Sequence, residues 1–293
     1  MKRARGFRVV VATDGSADAR AAVAMTVAFP WPDRTEVEGV VARHFPAAVA
    51  TEVSAPMWAG LQTSFVQAAD AARRVLRHRW PAAEVVVIDR PPVEAILTRA
   101  RDADAIVVGT RGHGALGRLV LGSVSRGVVR RAACSTLVVR GRPGRVRNLL
   151  VGLDESTNAR RAVAFVARLR PPRGRVTLVR VLEPVRLPSL NLMPASVRGV
   201  LERQLAEARG HQIRTARREL AAAGAVLKRG GWRVRGVIRW GRPVDEILAA
   251  GRTAHAQVLV VGARGTGGFA RLLLGSVAEG VLGGSRVSVF VVR

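Results

Sequence analysis

The spacing Gly-x-x-Gly, nine residues, Gly-Ser occurs twice in this 293-residue chain. The first copy is Gly109, Gly112, Gly122 and Ser123, within GTRGHGALGRLVLGS; the second is Gly262, Gly265, Gly275 and Ser276, within GARGTGGFARLLLGS. Each copy follows an apolar run of β type, residues 105–108 and 258–261. A strand that opens into a glycine-rich loop and then a helix brings backbone N–H groups close to phosphate oxygens, because no Cβ keeps the anion away. Arg111 and Arg264 lie inside the loops. A guanidinium there can neutralise phosphate charge, or can be a solvated loop arginine in a chain rich in them. His113 is replaced by Thr266 in the other copy and reads as an exposed loop histidine without a catalytic part.

Carboxylates recur in register as well. Asp14 closes the run FRVVVATDGS and Asp154 closes LLVGLDES, each with a serine, Ser16 or Ser156, two residues on. These serines are N-cap candidates for the alanine-rich stretches 17–29 and 157–169. The plain reading of the two aspartates is a turn or cap carboxylate; the functional one is a ligand contact.

The remaining elements repeat too. Second strands are expected at 36–45 and 175–183, long helices at about 62–79 and 196–223, and third strands at 84–89 and 233–239. Pro-initiated helices (PPVEAILTRA, RPVDEILAAG) and closing strands at 135–140 and 287–293 follow. The halves differ most between strands two and three, where the second has the longer insertion. Strands alternating with helices imply an α/β fold of two tandem doubly wound parallel-sheet domains, 1–143 and 144–293, joined by the short basic linker GRPGRVR. Ligands in such sheets lie outside the carboxyl ends of the strands, at the topological switch point. That logic groups Asp14 with the 109–123 loop and Asp154 with the 262–276 loop, one crevice per half.

With its repeated Gly-2x-Gly-9x-Gly-Ser signature and the closing segments SRGVVRRAACSTLVVR and SVAEGVLGGSRVSVFVVR, the chain resembles the universal stress proteins over both halves. The resemblance implies five strands per half in order 3-2-1-4-5, with the last strands meeting across a pseudo-twofold as an intramolecular pseudo-dimer. It also implies ATP in each crevice, with magnesium carried by the nucleotide. Asp14 and Asp154 would contact the adenosine portion. Gly109, Gly112, Gly122, Ser123, Gly262, Gly265, Gly275 and Ser276 would hold ribose and phosphates. Two departures set the halves apart. The second has Leu153-Asp154-Glu155 for Thr13-Asp14-Gly15, a further carboxylate expected to crowd or repel phosphate; and Val181 stands where the first has Ala42, near the expected adenine.

Other chemistries fit poorly. Gly112-x-Gly114-x-x-Gly117 matches a dinucleotide fingerprint formally, but it follows a late strand, and the neighbourhood about twenty residues on is Arg130-Arg131 rather than acidic. Neither Lys2 nor Lys228 follows a glycine-rich loop, which excludes a P-loop. His44, His78, His113, His211 and His255 give no metal-ligand spacing, and Cys134 reads as a small buried thiol. No general base or nucleophile stands out, so the expectation is a binding protein rather than an enzyme. The longest uncharged stretch, 53–69, is broken by Pro56, Gly60 and several polar residues, and so is no membrane span. The start MKRARGFRVVVATDGS lacks the apolar core of a secretory signal; the expected location is the cytoplasm.

Charge is the unabsorbed feature. Lys+Arg total 48 against 21 Asp+Glu, a net charge of +27. Up to residue 145 there are 22 bases and 12 acids; beyond it, 26 and 9. A GC-rich coding sequence accounts for arginine over lysine but not for base over acid. Such a balance attracts nucleic acid or other anionic partners. Tyrosine is absent, however, and the five tryptophans are not interleaved with arginine as stacking platforms would be. Two functions are therefore carried forward: an ATP-binding stress sensor or regulator, and an interaction protein with vestigial nucleotide sites whose arginine-rich surface takes an anionic partner. Pairing of whole chains as a homodimer is left open by the sequence.

Overall fold

The continuous apolar runs become the central strands of one ten-stranded sheet. The computed structural model describes residues 6–44, 55–110, 121–170, 173–184, 195–265 and 274–293, the side chains of 55–58 and 195–196 excepted. In the first half the strands are β1 (Phe7–Ala12), β2 (Thr35–Ala42), β3 (Glu84–Ile88), β4 (Ala105–Gly109) and β5 (Ser135–Val139). The second half repeats them as β6 (Asn148–Leu153), β7 (Arg175–Leu182), β8 (Arg233–Trp240), β9 (Val258–Gly262) and β10 (Ser288–Val292). The helices are α1 (Ala17–Ala28), α2 (Ala55–Arg77), α3 (Pro92–Arg99) and α4 (Ser123–Arg131), then α5 (Thr157–Arg168), α6 (Ala195–Arg229), α7 (Pro243–Thr253) and α8 (Ser276–Gly284).

Strand order is β3-β2-β1-β4-β5-β10-β9-β6-β7-β8, which is 3-2-1-4-5 in each half. All pairings within a half are parallel; β5 and β10 pair antiparallel, with Phe290 opposite Leu137. An antiparallel junction between two parallel halves is what a twofold relation requires. Its hydrogen bonds are reciprocal. Arg140 N donates to Ser288 Oγ (3.1 Å) and Arg293 N to Ser135 Oγ (3.3 Å). The guanidiniums of Arg140 and Arg293 donate to the Leu282 and Val129 carbonyls, each at 2.7 Å.

Alternate residues of each strand feed opposite faces. Val9 and Val11 join the core under α1, α2, α5 and α6, while Val10 joins the one under α3, α4, α7 and α8. The first core runs through both halves. Phe29 and Phe165 flank Phe290 with ring centroids 5.8 and 4.5 Å away, so this core seals the junction that the strands begin. Trp31 and Trp232 are buried, with indole N–H groups donating to Thr26 and Val166 carbonyls (2.8 and 2.9 Å).

Both long helices begin before their expected starts, and the later one is 35 residues against 23. Only the C-terminal part of α6 covers the sheet, through Ala216, Leu220 and Leu227; Val197 and Val200 are exposed. The first strand stops at Ala12 rather than running on to the aspartate, because the chain turns there, with Gly15 at φ +80°. The outermost strand β8 carries Arg233, Arg235 and Arg239, charges that discourage pairing by a further strand.

Candidate functional site

Each first strand ends in the same carboxylate turn. Asp14 Oδ1 accepts from Ser16 N (2.9 Å), and Asp154 Oδ1 from Ser156 N (3.0 Å). Ser16 and Ser156 then cap their helices, Oγ accepting from Ala19 N (3.3 Å) and Ala159 N (3.1 Å). One carboxylate oxygen is thus spent on local structure, and the group is fixed beside a helix N-terminus whose partial positive charge suits it.

The glycine loops leave the next strand across these turns. A Cβ on Gly109 would stand 2.6 Å from Asp18 O, and one on Gly262 would stand 2.8 Å from Asn158 Cβ. These two glycines let the strand end touch the first turn of α1 or α5, and both also line the crevice. The loop stems are closed alike: Gly122 N donates to Thr110 O (2.9 Å) and Gly275 N to Ala263 O (2.8 Å). Gly122 and Gly275 are the N-cap residues of α4 and α8, and Ser123 and Ser276 are the first helical residues. Neither cap glycine has a side chain to satisfy the helix N–H groups, which leaves them available to an anion. Arg111 and Gly112, with His113, lie outside the described residues.

In the second half the loop start is described and meets the aspartate. A Cβ on Gly265 would stand 2.8 Å from Asp154 Oδ2, so the carboxylate lies directly against the loop. Arg264 O accepts from Ser156 Oγ and Asn158 Nδ2, both at 3.3 Å, tying the loop to the start of α5. Burial, and then the nearby charge of Arg264, lowers the pKa of the Arg293 guanidinium. The second half brings the grouped residues together: Asp154, Gly262, Arg264, Gly265, Gly275 and Ser276 line a crevice of about 310 Å³. In the first half Asp14 and Gly109 line a crevice of about 110 Å³, and Gly122 and Ser123 are not among its lining residues.

The departures between halves resolve differently. Ala42 and Val181 do occupy matching positions: both line their crevices, and strand registers make them equivalent. Glu155, in contrast, does not crowd the crevice. Its Oε1 accepts from Arg180 Nη2 (2.8 Å), and Arg180 Nε also donates to Glu219 Oε2 (2.9 Å). The carboxylate expected to repel phosphate is held by a mostly buried guanidinium, with 15% of that side chain exposed, which itself lines the crevice.

Sequence reasoning missed Arg180, because Val41 occupies its place in the first half and nothing in the local pattern marks the exchange. Ser125 was missed as well. It lines the first crevice, and its hydroxyl donates to Gly109 O (2.6 Å), where the second copy has Ala278. The Cys134 thiol is pushed up to about 11 by burial, in keeping with an inert small side chain. Among the described residues no group of three or more His, Cys, Asp or Glu side chains could hold a metal ion. No described helix is long and apolar enough to cross a membrane.

Comparison with known proteins places this geometry. The model of the universal stress protein family matches residues 7–140 and again 145–293. A universal stress protein of Mycobacterium tuberculosis (strain H37Rv) is 32% identical over 219 residues, covering 69% of this chain and 66% of that protein, just under two thirds of its length. Another from the same strain is 28% identical over 228 residues, covering 74% of this chain and 71% of its own. Among solved structures, a universal stress protein from Archaeoglobus fulgidus shares the fold at TM-score 0.65 and 19% identity, covering 98% of this chain and 96% of its own.

Proposed function

The chain belongs to the universal stress protein family, and from that premise we propose that it binds ATP in its two crevices and acts as a nucleotide-dependent stress regulator in the cytoplasm rather than as an enzyme. The observation that carries this reading is the packing of the Asp154 carboxylate against Gly265, with Gly275 and Ser276 opening α8 across the same crevice. A carboxylate suits the hydroxyls of a ribose, which donate to it, while uncapped helix N–H groups suit phosphate. Arg264 on the loop adds a cation on the phosphate side. Gly109, Gly122, Ser123 and Asp14 supply the same parts in the first half, and Arg111 and Gly112 complete them by sequence. Val181 in place of Ala42 puts a larger side chain on the wall where the base would lie, although the second crevice is the roomier as a whole, about 310 Å³ against about 110 Å³. The two sites accordingly differ in affinity.

Magnesium would be carried by the nucleotide's own phosphates.

Calorimetric titration with ATP at physiological salt tests the reading. Two ATP per chain are expected, falling to one in Gly265→Ala, whose added Cβ meets Asp154 Oδ2. That variant weakens the second site by about tenfold or more through the steric clash alone. No binding at millimolar ATP overturns the proposal.

A further inference from the structure

At the opposite end of the second half from the glycine crevice, the amino ends of β6, β7 and β8 border an open basin of about 350 Å³ rimmed by the exposed Arg145, Arg147, Arg173, Arg175 and Arg233. No guanidinium of these five has a hydrogen bond or ion pair among the described residues. The floor is fixed by Gln257. Its Oε1 accepts from Arg147 N (2.7 Å) and Asn148 N (3.1 Å), and its Nε2 donates to Arg145 O (2.8 Å). The side-chain amide thus holds the arginine-bearing segment in place and contributes no charge.

The first half shows what this strand end looks like without the specialisation. Asp104 occupies the slot of Gln257: Asp104 N donates to Arg8 O as Gln257 N does to Asn148 O, each at 2.8 Å. Glu36 lies opposite Arg8 in the register where Arg175 lies opposite Asn148. Arg34 and Arg173 share the same left-handed turn, at φ 57° and 58°. Two carboxylate positions, Glu36 and Asp104, have therefore become Arg175 and Gln257. Asp33, beside the first of these ends, is engaged by Arg170 (3.1 Å). Five exposed cations with no acid among the described lining residues make a basic basin that attracts a multivalent anion.

The geometry points to a binding site for a compact phosphate chain at this basin. No aromatic side chain among the described residues lines it, so a base finds no stacking platform there and recognition falls to phosphate oxygens. Arg175 and Arg233 open their strands, Arg173 lies in the turn before β7, and Arg145 and Arg147 lie on the linker that Gln257 holds by its backbone. This site is separate from the glycine crevices and does not rest on the reading given to them.

Inorganic tripolyphosphate is the probe, titrated calorimetrically at about 0.15 M salt, where weak screening-sensitive contacts fade. Arg175→Glu is expected to weaken it by about tenfold or more, the scale of a lost charged hydrogen bond. Arg217→Glu, which makes the same change of net charge on the exposed face of α6, is expected to change it less than about twofold. Arg147→Gln repeats the first test without a reversed charge, and unchanged far-ultraviolet dichroism establishes that the variants fold. If ATP shows the same Arg175 dependence in a Gly265→Ala background, the chain is recognised as the tail of a nucleotide; if only tripolyphosphate does, as a free polyphosphate. Equal effects of Arg175→Glu and Arg217→Glu, or binding sensitive to Arg175 for a single-stranded oligonucleotide and not for tripolyphosphate, overturn the proposal.

Discussion

The two halves repeat the same backbone bonds at the same places and spend their charges differently. In both, an aspartate accepts from the serine two residues on, that serine caps the next helix, and a cap glycine closes the loop stem. Yet the first half has Val41 buried in its core where the second has Arg180 holding Glu155 and Glu219. At the far end of the strands, Glu36 and Asp104 give way to Arg175 and Gln257. A duplicated scaffold fixes where atoms can be placed; exposed strand ends are free to diverge in charge because they carry little of the packing energy, whereas the buried Val41 position takes a guanidinium in the second half with Glu155 and Glu219 to pair it.

The comparison breaks hardest at the strand-end glycines. Gly109→Val should destabilise the chain by about 3 kcal/mol, because its Cβ meets the backbone of α1 and backbone cannot yield. Gly262→Val should cost somewhat less, since the helix backbone stands farther off there, with Asn158 C at 3.1 Å and Ala159 N at 3.2 Å against Asp18 O at 2.6 Å and Asp18 C at 2.7 Å for Gly109. Denaturant unfolding of both variants reads the difference, and equal costs would mean that the two helix approaches are equivalent after all.

A smaller effect is expected from Arg180→Val, which writes the first half's residue into the second. It leaves Glu219, 27% exposed, without its cation. The cost should be about 1–2 kcal/mol, the range for a partly buried group losing a charged hydrogen bond. ATP affinity at the second crevice should fall as Glu155 is released toward it. If affinity rises instead, Arg180 is not what restrains that carboxylate.

The least change is expected at Cys134. The second half places Val287 at the equivalent position, so Cys134→Val should alter stability by less than about 1 kcal/mol. The thiol's pKa of about 11 against an ordinary 9.0 lowers its thiolate fraction at pH 8 about a hundredfold. Alkylation of the folded chain should accordingly lag that of the denatured chain by about that factor, and the lag should shrink as pH rises toward 11. Equal rates at pH 8 would mean the thiol is exposed.

Much of the site could be read along the chain. Gly109, Gly122, Gly262, Gly265 and Gly275 were found by spacing, and the structure gives four of them a local reason: a helix, a carboxylate or a loop stem leaves no room for a side chain. Ser16 and Ser156 were legible as caps because a cap bond spans three residues. Glu155 was misjudged because its partner Arg180 lies 25 residues away on another strand, and Ser125 was overlooked because its bond to Gly109 O spans 16. The arginine basin was invisible for the same reason. Gln257 reaches back 112 residues to Arg145, and no local pattern records that pairing.

By itself the sequence determined the duplication, the strand and helix alternation, and the glycine and serine positions at the crevices. These follow from backbone sterics, side-chain alternation and capping, which act over a few residues. Only the tertiary structure decided which charges face one another: that Arg180 restrains Glu155, and that five arginines gather at one strand end without an acid. Electrostatic contacts depend on distance through space, and at about 4 Å they are set by how the sheet is wound rather than by position in the chain.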